Sequence, residues 1–181
     1  MDNFHNRFFT IRPSTILSYI LNFAPMDKKA KMIKRVRVMA DYQFGKGCGE
    51  ILFPDNITFQ LSRTKRIRQI MLDGKRVATA RAKDGMLTLS MEAAATVHSH
   101  VPSPGLRVTV CDDAVPFVAK GKTTFAKHVT AIDPGLRSGD EVIVVDENDN
   151  AIATGQLMLS PDEVEALDTG AAVDVRCGCE Q

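Results

Sequence analysis

Apolar residues recur at helical spacing at Met32, Ile33, Val36 and Met39 within residues 27–40, with Lys and Arg on the remaining faces. That period predicts a short amphipathic, basic helix. Gly45, Gly47 and Gly49 then interrupt any regular element. Residues 57–61 alternate and predict a strand. Two β-rich runs, 66–72 and 75–81, flank Asp73-Gly74, the dipeptide that suits a two-residue hairpin turn because both of its residues accept positive φ. Another strand is expected at 86–90, after Asp84-Gly85, and a short helix at 91–97. The first half therefore reads as α+β with a small antiparallel sheet.

Residues 98–105 (HSHVPSPG) contain no Lys, Arg, Asp or Glu and two prolines, and they read as a linker. Beyond them the pattern is mostly short strands: 106–110, 123–132, 141–146, 151–158 and 172–176. A short helix is expected at 112–120, with Pro116 tolerated in its first turn. A second starts at Ser160-Pro161-Asp162-Glu163, where Ser caps, Pro takes the first helical position and Glu closes a capping box. Thr169-Gly170 marks its end. Short strands with interposed helices predict a small, partly closed β-barrel. The expected division is a domain at 27–97, a linker at 98–105 and a barrel at 106–177.

Residues 1–25 stand apart. The apolar run from Ile16 to Phe23 is about half the ~20 residues that a membrane-spanning helix needs, and Asn22-Phe23-Ala24-Pro25 is a poor cleavage site for a secretory signal. With Met26 heading a charged run, the segment reads as an over-extended reading frame or a loosely attached extension, and no membrane partner is expected. Cys48, Cys111, Cys177 and Cys179 form no CxxC pair, which suits a reducing cytoplasm.

The chain has 181 residues and a formal net charge of +1, but that figure is a cancellation. Residues 26–92 carry 15 basic and 7 acidic groups, net +8, whereas residues 93–181 carry 6 and 14, net −8. Such segregation points to an anionic partner for the basic half.

Several motifs fall short of the chemistry they suggest. Gly45-Lys46-Gly47-Cys48-Gly49 lacks the GxGxxG spacing and follows a helix, so a tight turn or close backbone approach is the expected role. Gly121-Lys122-Thr123 has proline where a phosphate-binding loop needs its first glycine, and strand is expected after it. His98-Ser99-His100 has no third ligand nearby, and Cys177-Gly-Cys179 reads as a frayed tail rather than half of a zinc site. No nucleophile–base constellation is present, so neither an enzyme, a cofactor nor a metal is expected. The basic clusters say more. Arg63, Lys65, Arg66 and Arg68 sit at a turn and strand entry, where alternation places Arg66 and Arg68 on one face, suited to phosphate contacts. Lys120, Lys122, Lys127 and His128 form a local basic spot within an acidic sequence.

Residues Thr123 to Arg176 resemble the PUA domain, a small RNA-binding β-barrel. The likeness rests on Thr124-Phe125-Ala126-Lys127-His128-Val129, Asp133-Pro134-Gly135-Leu136-Arg137-Ser138-Gly139-Asp140-Glu141-Val142, Ala151-Ile152-Ala153-Thr154-Gly155 and Gly170-Ala171-Ala172-Val173. The version is similar to the one at the C-terminus of archaeal, archaeosine-type tRNA-guanine transglycosylase. Ala40-Asp41-Tyr42-Gln43-Phe44-Gly45, Leu52-Phe53-Pro54 and Ser62-Arg63-Thr64-Lys65-Arg66-Ile67-Arg68 resemble the domain that precedes PUA in those enzymes. The family's catalytic barrel needs about 250 residues, which this chain lacks.

The resemblance implies an α+β pre-PUA domain followed by a PUA barrel. It also implies binding of structured RNA, tRNA above all, in a non-catalytic role, either as an accessory to a separate catalytic tRNA-modifying subunit or as a stand-alone relative of the enzyme's C-terminal region. Carried over by position, the RNA-binding residues are Lys120, Gly121, Lys122, Phe125, Lys127 and His128; the basic turn adds Arg63, Lys65, Arg66 and Arg68. In many PUA domains glycine occupies the position of His128. The rival expectation is a protein–protein module that uses the acidic surface of residues 133–168.

Overall fold

The computed structural model describes residues 27–180, and the expected extension at 1–25 lies outside the described residues. Helix α1 (Lys28–Phe44) buries Ile33, Val36, Ala40 and Phe44; of the expected stripe Ile33 and Val36 are buried, whereas Met32 and Met39 are half-buried, and the helix runs one turn past its expected end. The glycine-rich segment after it does not simply break structure. Gly49 lies within a short helix, α2 (Cys48–Leu52). A side chain there would meet the Arg37 backbone, so glycine lets the two helices touch. Asp41 Oδ1 accepts the N–H groups of Gly47 (3.0 Å) and Gly49 (2.7 Å).

Strands β1 (Thr58–Leu61), β2 (Ile67–Leu72), β3 (Lys75–Ala80) and β4 (Leu87–Leu89) form an antiparallel sheet in that order. Asp73 (φ 49°) and Gly74 (φ 80°) make the expected turn. Strand β2 begins one residue later than expected. Pairing also slips between Gln60 and Leu61, so that Leu61 opposes Ile67 and Gln60 opposes Gln69. Arg68 is the extra residue. Ile67 and Ile70, three apart, both pack on the core. The bulge exists because both isoleucines turn inward, and it breaks the alternation expected to put Arg66 and Arg68 on one face.

Helix α3 (Met91–His100) is capped by Ser90 Oγ, which accepts the Ala93 N–H. It runs three residues into the stretch expected to be a linker. Helical geometry separates the two histidines: His98 Nε2 lies 3.1 Å from Asp149 Oδ1, and His100 Nε2 lies 3.3 Å from the Lys46 carbonyl. Residues 101–105 are tied down by Arg107, whose side chain is buried. It donates to the carbonyls of His98, Val101 and Gly105 and to Asp149 Oδ1, at 2.7–3.0 Å.

The second sheet has the order β6-β10-β9-β8-β5-β7 and curls into a nearly closed barrel, completing an α+β fold. Its strands are β5 (Arg107–Val110), β6 (Thr124–Phe125), β7 (Val129–Ile132), β8 (Glu141–Val145), β9 (Ala151–Leu157) and β10 (Ala171–Gly178). The pair β5–β8 is parallel; the other pairs are antiparallel. A single-turn helix α4 (Val115–Val118) follows a 3₁₀ turn at Asp112–Ala114, and the continuous strand expected at 123–132 is broken by another at Ala126–His128. Helix α5 (Pro161–Ala166) has the full capping box and stops before Thr169-Gly170. The expected frayed tail is strand: Cys177 opposes Thr154 and Gly178 opposes Ala153.

Strand β8 is buried along its whole length. Ile143 and Val145 belong to the core beneath the first sheet, whereas Val142 and Val144 belong to the core of the barrel. One strand thus lends alternate side chains to two cores.

Glu141 heads the same strand, on the side of Ile143. Its Oε1 accepts the Leu89 N–H at 3.3 Å. Its Oε2 has no hydrogen-bond partner among the described residues, with Arg176 Nε at 3.5 Å. Burial raises its pKa to about 7, against the opposing pull of Arg176 and the Leu89 N–H. The folded state holds the proton more tightly than the unfolded chain, so this group's contribution to stability falls as pH rises from the ordinary value, 4.5, through about 7. Denaturant unfolding of wild type and Glu141→Gln at pH 5 and pH 8 measures it. The variant is expected to gain about 2 kcal/mol relative to wild type between the two pH values.

Candidate nucleic-acid interface

The segment between β5 and β7 forms a path over the barrel along which the exposed Phe117, Lys120, Lys122, Phe125 and Lys127 alternate with the buried Val118, Ala119, Thr124 and Ala126. Helix α4 ends in a tight turn: Gly121 (φ 78°) donates to the Val118 carbonyl, and the N–H groups of Lys120 and Lys122 both point to the Phe117 carbonyl. Lys120 and Lys122 are exposed, and Phe117 beside them is 64% exposed. In β6 the alternation turns Thr124 inward and Phe125 outward, with Phe125 47% exposed. Ala126 is buried and donates to the Gly170 carbonyl. Lys127 is then exposed, while His128 is half-buried, its Nδ1 3.6 Å from Cys111 Sγ.

The path therefore presents two aromatic faces among three lysines, a combination that grips phosphates and stacks on unpaired bases. Its position depends on β10. A side chain at Gly178 would meet the Ala119 carbonyl and crowd the Gly121 N–H, so glycine lets β10 run directly beneath the lysine turn.

Phe117 was not legible as a site residue in the sequence. It lies in an apolar run, Val115-Pro116-Phe117-Val118, that reads as core. Only the folded chain shows that Val118 turns inward and Phe117 outward.

The second cluster sits on the β1–β2 turn. Lys65 (φ 60°) donates its N–H to the Ser62 carbonyl, and Ser62 Oγ accepts the Arg66 N–H. Arg63, Lys65, Arg66 and Arg68 are all exposed, and none makes an ion pair among the described residues. The two clusters ride on different sheets. The turn lies at the end of the first sheet where β3 leaves and β4 enters. From that end Arg81 Nη2 reaches the Gly139 carbonyl of the barrel at 3.4 Å.

Among the described residues no group of three or more His, Cys, Asp or Glu is placed to hold a metal, and no helix is long and apolar enough to cross a membrane.

Two family models match the chain: the patch-forming domain C2 of tRNA-guanine transglycosylase over residues 34–104, and the PUA domain over residues 106–178. The chain is 44% identical over 154 residues to a tRNA-guanine(15) transglycosylase of Thermococcus kodakarensis, covering 85% of this chain and 26% of that one. It is 42% identical over 147 residues to the corresponding protein of Methanothermobacter thermautotrophicus, covering 81% and 22%. The chain thus spans about a quarter of the length of the curated relatives it matches. Among solved structures, a hypothetical protein from Pyrococcus horikoshii superposes with a TM-score of 0.66 at 20% identity, covering 87% of this chain and 95% of that one. A conserved PUA domain protein from Thermoplasma acidophilum gives 0.57 at 21%, covering 86% and 93%. Both share the fold.

Substituting Gly178→Ala tests the packing under the lysine turn. Overpacking there is expected to cost about 1–3 kcal/mol, read as a lower melting temperature. The largest amide shift changes should fall at residues 119–122 in NMR spectra.

Proposed function

Since residues 34–104 belong to the patch-forming C2 domain of tRNA-guanine transglycosylase and residues 106–178 to the PUA domain, we propose that the protein binds structured RNA, tRNA foremost, in tRNA modification. It takes no part in the chemistry. It presents tRNA to a separate catalytic subunit in the reducing cytoplasm, where its four free cysteines stay thiols.

The observation that carries this reading is the Lys120–His128 path on the barrel. Lys120, Lys122 and Lys127 engage phosphates. Gly121, which carries no side chain, leaves room for the RNA backbone at the turn, Phe117 and Phe125 offer stacking faces, and His128 donates at the end of the path. Arg63, Lys65, Arg66 and Arg68 extend the contact onto the first sheet. Recognition of this kind rests on RNA shape and backbone more than on base sequence. The division into two domains falls at about residue 105, between the two family matches.

The acidic stretch of residues 133–168 supports the rival protein-docking reading less well, because much of it is engaged locally. Asp133 accepts the N–H groups of Leu106 and Gly135. Asp146 accepts those of Asn148 and Asn150, Asp149 holds Arg107, and Glu163 caps α5.

Filter binding of a tRNA transcript across a salt series tests the proposal. Replacing Lys120, Lys122 and Lys127 together with Ala is expected to weaken binding at least tenfold at low salt. It should also flatten the log–log salt dependence by about 2, close to 0.7–0.9 per lost phosphate contact. Affinity unchanged by the triple substitution and indifferent to salt overturns it.

A further inference from the structure

The first helix carries a second surface that the PUA path does not use. Its inner stripe is Ile33, Val36, Ala40 and Phe44, all buried. On the opposite side, Lys28, Lys31, Arg35, Val38 and Tyr42 recur at steps of three and four residues, with Lys34 beside them. All six are exposed. At 1.5 Å per residue this stripe runs about 21 Å. Tyr42 is 84% exposed and Val38 60%, the two most open large apolar or aromatic side chains among the described residues apart from Phe117.

The cations of this stripe are not tied to carboxylates by ion pairs, although Lys34 borders a hollow also lined by Asp27, Asp41, Glu50 and Asp55. None of Lys28, Lys31, Lys34 or Arg35 makes an ion pair among the described residues. The single carboxylate within the helix, Asp41, is taken up by the N–H groups of Gly47 and Gly49. Arg37, which is paired, points elsewhere: it meets Asp55 at 2.9 Å and the Phe53 carbonyl at 2.8 Å, on the side of α2. A helix stabilised only by its own packing has no use for four adjacent unpaired cations, which repel one another. An anionic polymer lying along the helix removes that repulsion, and an open tyrosine at the end of the row offers an unpaired base a ring to stack on.

We infer that the outer face of α1 is a second RNA-contact surface, with Lys28, Lys31, Lys34 and Arg35 on the phosphate backbone and Tyr42 stacked on an unpaired base. The inference rests on the RNA-binding reading above and deepens it: the RNA spans from the barrel to the far side of the first domain and presents a single-stranded nucleotide there.

The test compares three proteins with wild type: Lys28/Lys31/Lys34/Arg35→Ala, Tyr42→Ala, and the Lys120/Lys122/Lys127→Ala triple. Each is titrated with a tRNA transcript and with a blunt RNA duplex. Alanine is the best helix former, and circular dichroism melting verifies that α1 persists. The fourfold variant is expected to weaken binding of both RNAs and to flatten the salt dependence by about 3. Tyr42→Ala is expected to lose roughly tenfold on the tRNA, leave the salt dependence unchanged and leave duplex binding intact. Photocrosslinking of 4-thiouridine-substituted tRNA to Tyr42 supports the stacking contact directly.

If the fourfold and Tyr42 variants bind like wild type while the barrel triple weakens, this inference fails and the proposed function stands. If wild type binds neither RNA at any salt, both fail. If the fourfold variant leaves RNA binding untouched but abolishes concentration-dependent self-association, the face docks the acidic barrel of a second copy, and the inference is overturned.

Discussion

Strand β8 is the constraint on which the rest of the molecule depends. A β-strand sends successive side chains to opposite sides, and here both sides are core. Ile143 and Val145 close the cluster beneath the first sheet, and Val142 and Val144 close the barrel. Neither half can move away without exposing an apolar face of this strand. Glu141, at its head, adds a polar tie to the Leu89 backbone. Arg107 locks the connecting segment with four hydrogen bonds from one buried guanidinium. The stretch that composition marks as a linker is therefore a rigid joint.

That joint gives the charge segregation its meaning. The basic and acidic halves cancel in the total, yet the two signs do different work. Carboxylates of the barrel close turns, cap α5 and hold Arg107. Eight cations of the first domain make no ion pair among the described residues: four on the outer face of α1 and four at the β1–β2 turn. On the barrel, three lysines and two open aromatic rings gather along one loop path. A rigid joint holds these patches at set positions relative to each other. This matters for a partner recognised by shape, because a folded RNA offers phosphates at set spacings.

Much of the architecture was legible along the chain. The Asp73-Gly74 hairpin, the Ser160 capping box and the inner stripe of α1 are local patterns, decided by residues within a turn or two of one another. The Lys120–His128 segment was legible as a cluster too, because its cations stand out in an acidic sequence. What escaped was non-local. The bulge at Arg68 arises because Ile67 and Ile70 both seek one core. Residues 98–100 became helix, and 101–105 an ordered joint, because Arg107 and Asp149 supply distant partners. Cys177 and Gly178 became strand because β9 lies beside them.

The sequence by itself determined most of the elements, the α+β class and which segments concentrate positive charge, since periodicity, turn chemistry and composition act over short distances. Only the tertiary structure decided which side chains those elements keep for solvent. Phe117 and Tyr42 are apolar or aromatic residues in helical runs, as eligible for a core as their neighbours. They face outward because Val118 and the Ile33–Phe44 stripe fill the available interior. Packing space is a property of the assembled molecule, and no local pattern in the chain encodes it.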